Sequence, residues 1–160
     1  MFFKAVKKIF GILAAICYVI IVVVICILTP ILAGWTPMYV KSPSMEPAIK
    51  TGSLIYHHKV QSISELQAGD VIAFKTQGSE NVITHRLTEV NEQEGTLQTK
   101  GDGNDSEDPD ILVISNVVGK VGTFVIPNIG YVIVYLKKPI FFLLAAVIIL
   151  GNLALGKAED

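Results

Sequence analysis

The apolar positions divide this chain into three stretches. From Ile9 to Val40 there is no Lys, Arg, Asp or Glu, and Ile9 to Leu28 supplies 20 residues dominated by Ile, Val, Leu and Ala. A helix of that length rises about 30 Å, the thickness of a bilayer's hydrocarbon. A second charge-free run, Pro139 to Gly156, lies at the short end of the roughly 17 to 25 residues that a crossing needs; it predicts a second transmembrane helix, with a helix lying in the membrane interface as the alternative. Between the two, after Pro37, continuous apolar sequence gives way to short alternating runs broken by Gly, Pro, Asn and Asp, which is how strands and turns are written. Leu54, Tyr56 and His58 alternate with Ile55, His57 and Lys59, and Val71 to Phe74 follows a Gly69-Asp70 turn. Further strands are predicted over Val82 to Val90, Thr96 to Lys100 and Val117 to Ile126, with one helical turn within Ser62 to Gln67.

The expected architecture is therefore a mainly β domain flanked by an N-terminal and a C-terminal transmembrane helix. Its divisions are a basic N-terminus (1–8), an anchor (9–35), a β-rich domain (36–138), a second span (139–156) and a short tail (157–160). A cleaved secretory leader would have a shorter apolar centre, roughly 7 to 15 residues, ahead of a small-residue cut site, so an uncleaved anchor fits better.

Charge orients this arrangement. Lys4, Lys7 and Lys8 precede the first span with no acidic residue among them, which places the N-terminus in the cytoplasm and the β-rich domain outside. Lys137 and Lys138, before the second span, work mildly against this orientation, although both can snorkel to the headgroups. Trp35 and Tyr39 suit the outer membrane interface, where an aromatic ring is half wet. A formal net charge of -1 with 51% hydrophobic residues excludes a disordered chain and a nucleic-acid binder. Cys17 and Cys26 both fall inside the first apolar run and read as small hydrophobes, so the exported part is built without disulfides.

The chemistry-bearing residues gather in the middle stretch. Lys41-Ser-Pro-Ser-Met-Glu-Pro-Ala-Ile-Lys50 begins soon after the first span, and its prolines fix φ on both sides of Ser44. A Ser between prolines is by itself an ordinary turn. The wider pattern is more specific. Ser42-Pro-Ser-Met-Glu-Pro47 resembles the serine box of type I signal peptidases (peptidase family S26), with Pro43 where Gly is usual. Gly69-Asp-Val-Ile-Ala-Phe74 looks like the next box. Val82-Ile-Thr-His-Arg86 is similar to the box that supplies the general base, with His85 where the common bacterial branch has Lys. Lys100-Gly-Asp-Gly-Asn-Asp-Ser-Glu-Asp108 resembles the final acidic box, with Gly103 where Asn is common. The boxes stand in family order and resemble the ER-type branch, which includes archaeal enzymes and the SipW-like enzymes of spore-forming bacteria.

The resemblance implies a signal-peptidase-like β fold and a membrane-bound serine endopeptidase that removes signal peptides from exported precursors, cutting after small residues at positions -3 and -1. Ser44 would be the nucleophile and His85 the general base, since neutral imidazole can take a hydroxyl proton near neutral pH. Such a base loses activity as acid protonates it. Asp108 would orient His85, with Asp102 as the competitor, and the Ser42 hydroxyl would join the oxyanion hole, so that its loss slows the enzyme without abolishing it. Arg86 reads as a partner for a carboxylate of the acidic loop, and Met45 and Pro47 as residues of packing and loop shape, with apolar surface around them that could also sit against the bilayer. Asp70 reads as a turn residue, and Asp105, Glu107 and Asp110 as solvated charges. Neither a cofactor nor a metal is expected. The expected partners are signal-peptide-bearing precursors, the lipid bilayer and accessory membrane subunits, and the expected location is the cell membrane, multi-pass, with the catalytic domain on the extracytoplasmic side. Two rivals differ in kind: a non-catalytic membrane-anchored β scaffold, for which Ser44 and His85 would be dispensable, and a Ser/Lys peptidase with Lys75 as base.

Overall fold

The computed structural model describes residues 2–130 and 138–157. Its contacts separate two compact units, Met1–Pro30 with Val132–Asp160, and Ile31–Tyr131. The last residues of the expected β-rich domain, 131–137, and the final residues of the tail, 158–160, lie outside the described part.

In the first unit, α1 (Phe2–Leu28) has 27 residues, about 40 Å of helix at 1.5 Å per residue. It begins ahead of Ile9, so Lys4, Lys7 and Lys8 lie on the helix itself. Pro30 has no N–H with which to extend it, and the chain tightens into a 3-10 turn over Thr29–Ala33. The second helix, α2 (Pro139–Lys157), has Pro at its first position, where a missing N–H is harmless. Among the described residues its apolar stretch is Pro139–Ala154, just short of the roughly 17 residues at which crossing begins. Among the described residues, α1 is the one helix long and apolar enough to span a bilayer. The two helices touch through small residues. A Cβ at Gly151 would lie 2.7 Å from Phe10 Cε1, and one at Gly11 would lie 3.9 Å from Asn152 Oδ1. Glycine there lets the backbones approach closely.

The second unit is a seven-stranded antiparallel sheet of β1 (Thr36–Tyr39), β2 (Leu54–His58), β3 (Val71–Phe74), β4 (Ile83–Asn91), β5 (Thr96–Lys100), β6 (Leu112–Val113) and β7 (Val117–Ile126). Their order is β1-β2-β7-β3-β4-β5-β6. Five of these strands follow the alternation legible in the sequence. The two edge strands do not: β1 contains Pro37, which removes a ladder donor and is tolerated at an edge, and β6 is two residues long. The turn expected within Ser62 to Gln67 is a 3-10 turn at Ile63–Glu65, closed by a capping box between Ser62 and Glu65.

Strand alternation sends neighbouring residues to different apolar clusters. Ile72 and Phe74 join Val60, Leu66, Leu87, Leu97 and Leu112, whereas Ala73 joins Val40, Met45, Ile49, Ile55 and Val121. Trp35 is half-buried. A Cβ at Gly122 would sit 2.8 Å from its Cζ3, and its ring meets that of His58 edge-on at 4.6 Å between centroids.

Candidate active site

The serine segment is a rigid turn. Ser42 is extended (φ -124°, ψ 158°), and Pro43 opens a 3-10 turn over Pro43–Met45, a first position that suits its fixed φ. The Glu46 N–H donates to the Pro43 carbonyl at 2.9 Å, and the Ile49 N–H to the Met45 carbonyl at 2.8 Å. Met45, only 1% exposed, anchors the turn from below in the cluster of Val40, Ile49, Ile55, Ala73 and Val121. Met45 thus packs, as expected, with its side chain filling the core. Glu46 braces the following loop, where the Thr51 N–H (3.0 Å) and hydroxyl (2.8 Å) donate to its Oε1. The Thr51 backbone bond first, and the hydroxyl second, hold this carboxyl below its usual range.

Ser44 is half-buried, and its Oγ lies 3.2 Å from Ser42 Oγ. Its carbonyl accepts the Gly103 N–H at 2.8 Å. Glycine is required in that approach, because a Cβ at Gly101 would lie 2.6 Å from the Ser44 carbonyl oxygen and one at Gly103 would lie 3.0 Å from that of Glu46. The turn and this loop enclose an open cleft of about 520 Å³, lined by Ser42, Pro43, Ser44, Glu46, Pro47, Gly103 and Asn104.

His85 lies on β4, the strand beside the Pro43–Met45 turn. It pairs across the ladder with Ile72, so it shares that residue's face, and its ring meets Phe74 edge-on at 6.0 Å. Its Nδ1 is 2.6 Å from Asp108 Oδ2, with the two side chains 10% and 17% exposed. An ionised carboxylate can only accept, so Nδ1 donates; in the neutral imidazole this leaves the lone pair on Nε2, the tautomer a general base needs. Asp108 is itself held on three sides: Thr99 Oγ1 donates to Oδ2 at 2.6 Å, Gln98 Nε2 donates to its carbonyl at 2.6 Å, and its own N–H donates to the Thr99 carbonyl at 2.8 Å.

Asp102, the competitor for the same role, is engaged elsewhere. Arg86 donates to it twice, Nε to Oδ1 at 2.8 Å and Nη2 to Oδ2 at 2.6 Å, and Arg86 Nη1 donates to the Gly69 carbonyl at 2.8 Å. Hydrogen bonding to Asp102 holds the Arg86 guanidinium above its usual range against the opposing effect of burial. Lys75 is bound to Glu80 at 2.7 Å on an exposed surface. Ser44 and His85 do not hydrogen-bond to one another.

This ordering of turn, strand and acidic loop matches the family profile described as signal peptidase, peptidase S26, over residues 12–126. The chain belongs to the S26 signal peptidase family. It is 36% identical over 124 residues to signal peptidase I W of Bacillus subtilis, covering 69% of this chain and 65% of that protein. It is 32% identical over 108 residues to the signal peptidase complex catalytic subunit of Neurospora crassa, covering 62% of each chain. A rat signal peptidase complex catalytic subunit is 32% identical over 131 residues, covering 76% of this chain and 67% of its own. The match thus spans a little under two thirds of the first two relatives.

Beside the S26 motifs stand contacts that the sequence did not disclose. Thr99 and Gln98 read as plain strand residues, and no signal short of the register between β4 and β5 marks them as partners of Asp108. The acidic stretch is also not uniformly solvated: Asp102 and Asp108 are largely covered, while Asp105, Glu107 and Asp110 are exposed as expected. Asp70 does more than turn the chain, since its carboxylate also pairs with Lys120 at 2.7 Å.

Proposed function

We propose that this S26 member is a membrane-bound serine endopeptidase that removes signal peptides from exported precursors, cutting after small residues at -3 and -1. The reading rests on one observation above the others: an imidazole held by a carboxylate at 2.6 Å on the strand beside the serine turn. Ser44 Oγ attacks the scissile carbonyl carbon as its proton passes to His85 Nε2. Asp108 stabilises the imidazolium that forms. The Ser42 hydroxyl and the Ser44 N–H receive the charge on the carbonyl oxygen. The C–N bond breaks as His85 returns the proton to the leaving amine. Water, deprotonated by His85, then releases the new carboxyl terminus from Ser44.

In this reading α1 anchors the chain with its lysine-bearing end in the cytoplasm, α2 returns across the cell membrane by tilting little or thinning the bilayer locally, and the β unit works on the outer side. Two of the relatives are named as subunits of a signal peptidase complex, which supports accessory membrane subunits as partners. The scaffold alternative gives Ser44 and His85 no work to do. The test is incubation of detergent-solubilised full chain with a precursor carrying an Ala-x-Ala site, the cut being mapped by mass spectrometry. Cleavage at that bond, lost in Ser44→Ala, is the expected result. Cleavage that survives in Ser44→Ala overturns the assignment.

A further inference from the structure

We propose that Thr99 is a positioning residue for this reaction, acting through Asp108; the inference rests on the peptidase reading above. A carboxylate bonded only to His85 can rotate about its last side-chain torsion, which is broad and two-fold, and so can exchange one oxygen for the other or drift out of line with Nδ1. The Thr99 hydroxyl removes that freedom. It donates at 2.6 Å to the same Oδ2 that faces His85 Nδ1 at 2.6 Å, and so selects one oxygen and fixes its direction.

The hydroxyl is itself well fixed. Thr99 is 0% exposed and sits opposite Leu87 in the ladder between β4 and β5, the strand that bears His85. Its β-branched side chain has few rotamers open to it. Its main chain adds a second tie, the Asp108 N–H donating to the Thr99 carbonyl at 2.8 Å. Backbone and side chain of one residue therefore grip backbone and side chain of the other, and the carboxylate is referenced to the same sheet as the base. A ladder neighbour gives a better-defined mount than the loop on which Asp108 itself stands.

A purely structural hydroxyl, present to satisfy a buried polar group, makes a different prediction from a positioning one. Loss of a structural contact lowers stability and leaves turnover alone. Loss of a positioning contact lowers turnover without changing precursor binding. The experiment measures kcat and KM for precursor cleavage by full-length Thr99→Val, Thr99→Ser and Thr99→Ala, alongside wild type and Ser44→Ala, with thermal unfolding of each followed by circular dichroism. The expected result for Thr99→Val is a fall in kcat of about 10- to 100-fold, the range for a lost hydrogen bond to a charged group, with KM within about twofold of wild type. Thr99→Ser, which keeps the hydroxyl, recovers most of the rate. In an Asp108→Asn background Thr99→Val costs little more, because residues that act as one unit are not additive.

Should Thr99→Val fail to fold, Thr99→Ala against Thr99→Ser carries the same comparison. A kcat for Thr99→Val or Thr99→Ala within about twofold of wild type, with Ser44→Ala inactive, overturns the inference and leaves the peptidase reading standing. So does an equal loss with and without Asp108. Activity that survives in Ser44→Ala overturns the peptidase reading itself.

Discussion

Replacing Asp108 by Asn tests the proposed chemistry at its most demanding point. The substitution keeps the size of the side chain and leaves Thr99 an oxygen to donate to, but it removes the charge facing His85 and can present an amide N–H to Nδ1. Two routes give the magnitude. Opposite charges about 4 Å apart attract by about 4 kcal/mol at an effective dielectric near 20, and side chains 10% and 17% exposed are covered enough for that value rather than the bulk-water one. At 1.36 kcal/mol per tenfold, this is about three orders of magnitude in rate. Independently, Ser-His-Asp peptidases lose about 10,000-fold when the same substitution locks the imidazole in the wrong tautomer. The expected outcome is a kcat lower by about 1,000- to 10,000-fold with KM little changed, because the imidazolium exists only on the way to the transition state. The assay is precursor cleavage under single-turnover conditions, with circular dichroism to show that the variant is folded. A folded Asp108→Asn within tenfold of wild type refutes the reasoning.

Asp102→Asn removes the two-point acceptor of Arg86, and it lowers the melting temperature by an amount equivalent to about 1.5 to 3 kcal/mol while reducing kcat less than Asp108→Asn does; thermal unfolding and cleavage measured together check this. Gly101→Ala forces a Cβ to within 2.6 Å of the Ser44 carbonyl oxygen; overpacking of this kind costs about 1 to 3 kcal/mol, and the variant both melts earlier and cleaves more slowly. Burial, with a smaller effect of His58, holds His57 below the ordinary imidazole range, so the unfolded chain binds more protons than the folded one. Stability is then greatest above the unfolded value of about 6.5 and falls with pH until the folded His57 also titrates; melting curves between pH 7.5 and roughly 5 decline, and His57→Gln flattens the decline. Asp105→Asn with Glu107→Gln, both at exposed positions, leaves kcat and KM within about twofold, as expected of surface substitutions.

The strands that were legible in the sequence are those whose alternation is enforced by a core on at least one face. Val71 to Phe74 and Thr96 to Lys100 have the same bounds in the structure because Ile72, Phe74 and Leu97 are fully covered. Thr36–Tyr39 carries a proline, and Leu112–Val113 is too short to show a period, so both edges escaped detection. The charge-free run Pro139 to Gly156 does form a helix, Pro139–Lys157, whose apolar stretch among the described residues is Pro139–Ala154, and its small residues serve contact with α1. At the site, motif and spacing identify Ser44, His85 and two candidate carboxylates but do not apportion the carboxylates. That choice depends on where a loop closes.

The apportionment follows from strand geometry once the loop is in place. His85 and Arg86 are neighbours on β4, so their side chains leave the strand on opposite faces. Each takes its own carboxylate from the same acidic loop, Asp108 for the imidazole and Asp102 for the guanidinium. Gly103 adds a third attachment through the Ser44 carbonyl. The loop is thereby tied to His85, to the strand that bears it and to the Ser44 peptide, while Asp105 and Glu107 between these ties remain in solvent. A single carboxylate could orient His85 but could not also hold the loop in register against Ser44. An Arg fork with two parallel bonds supplies that register because it fixes angle as well as distance. In the proposed mechanism the Arg86–Asp102 pair thus sets the geometry in which the His85–Asp108 pair acts.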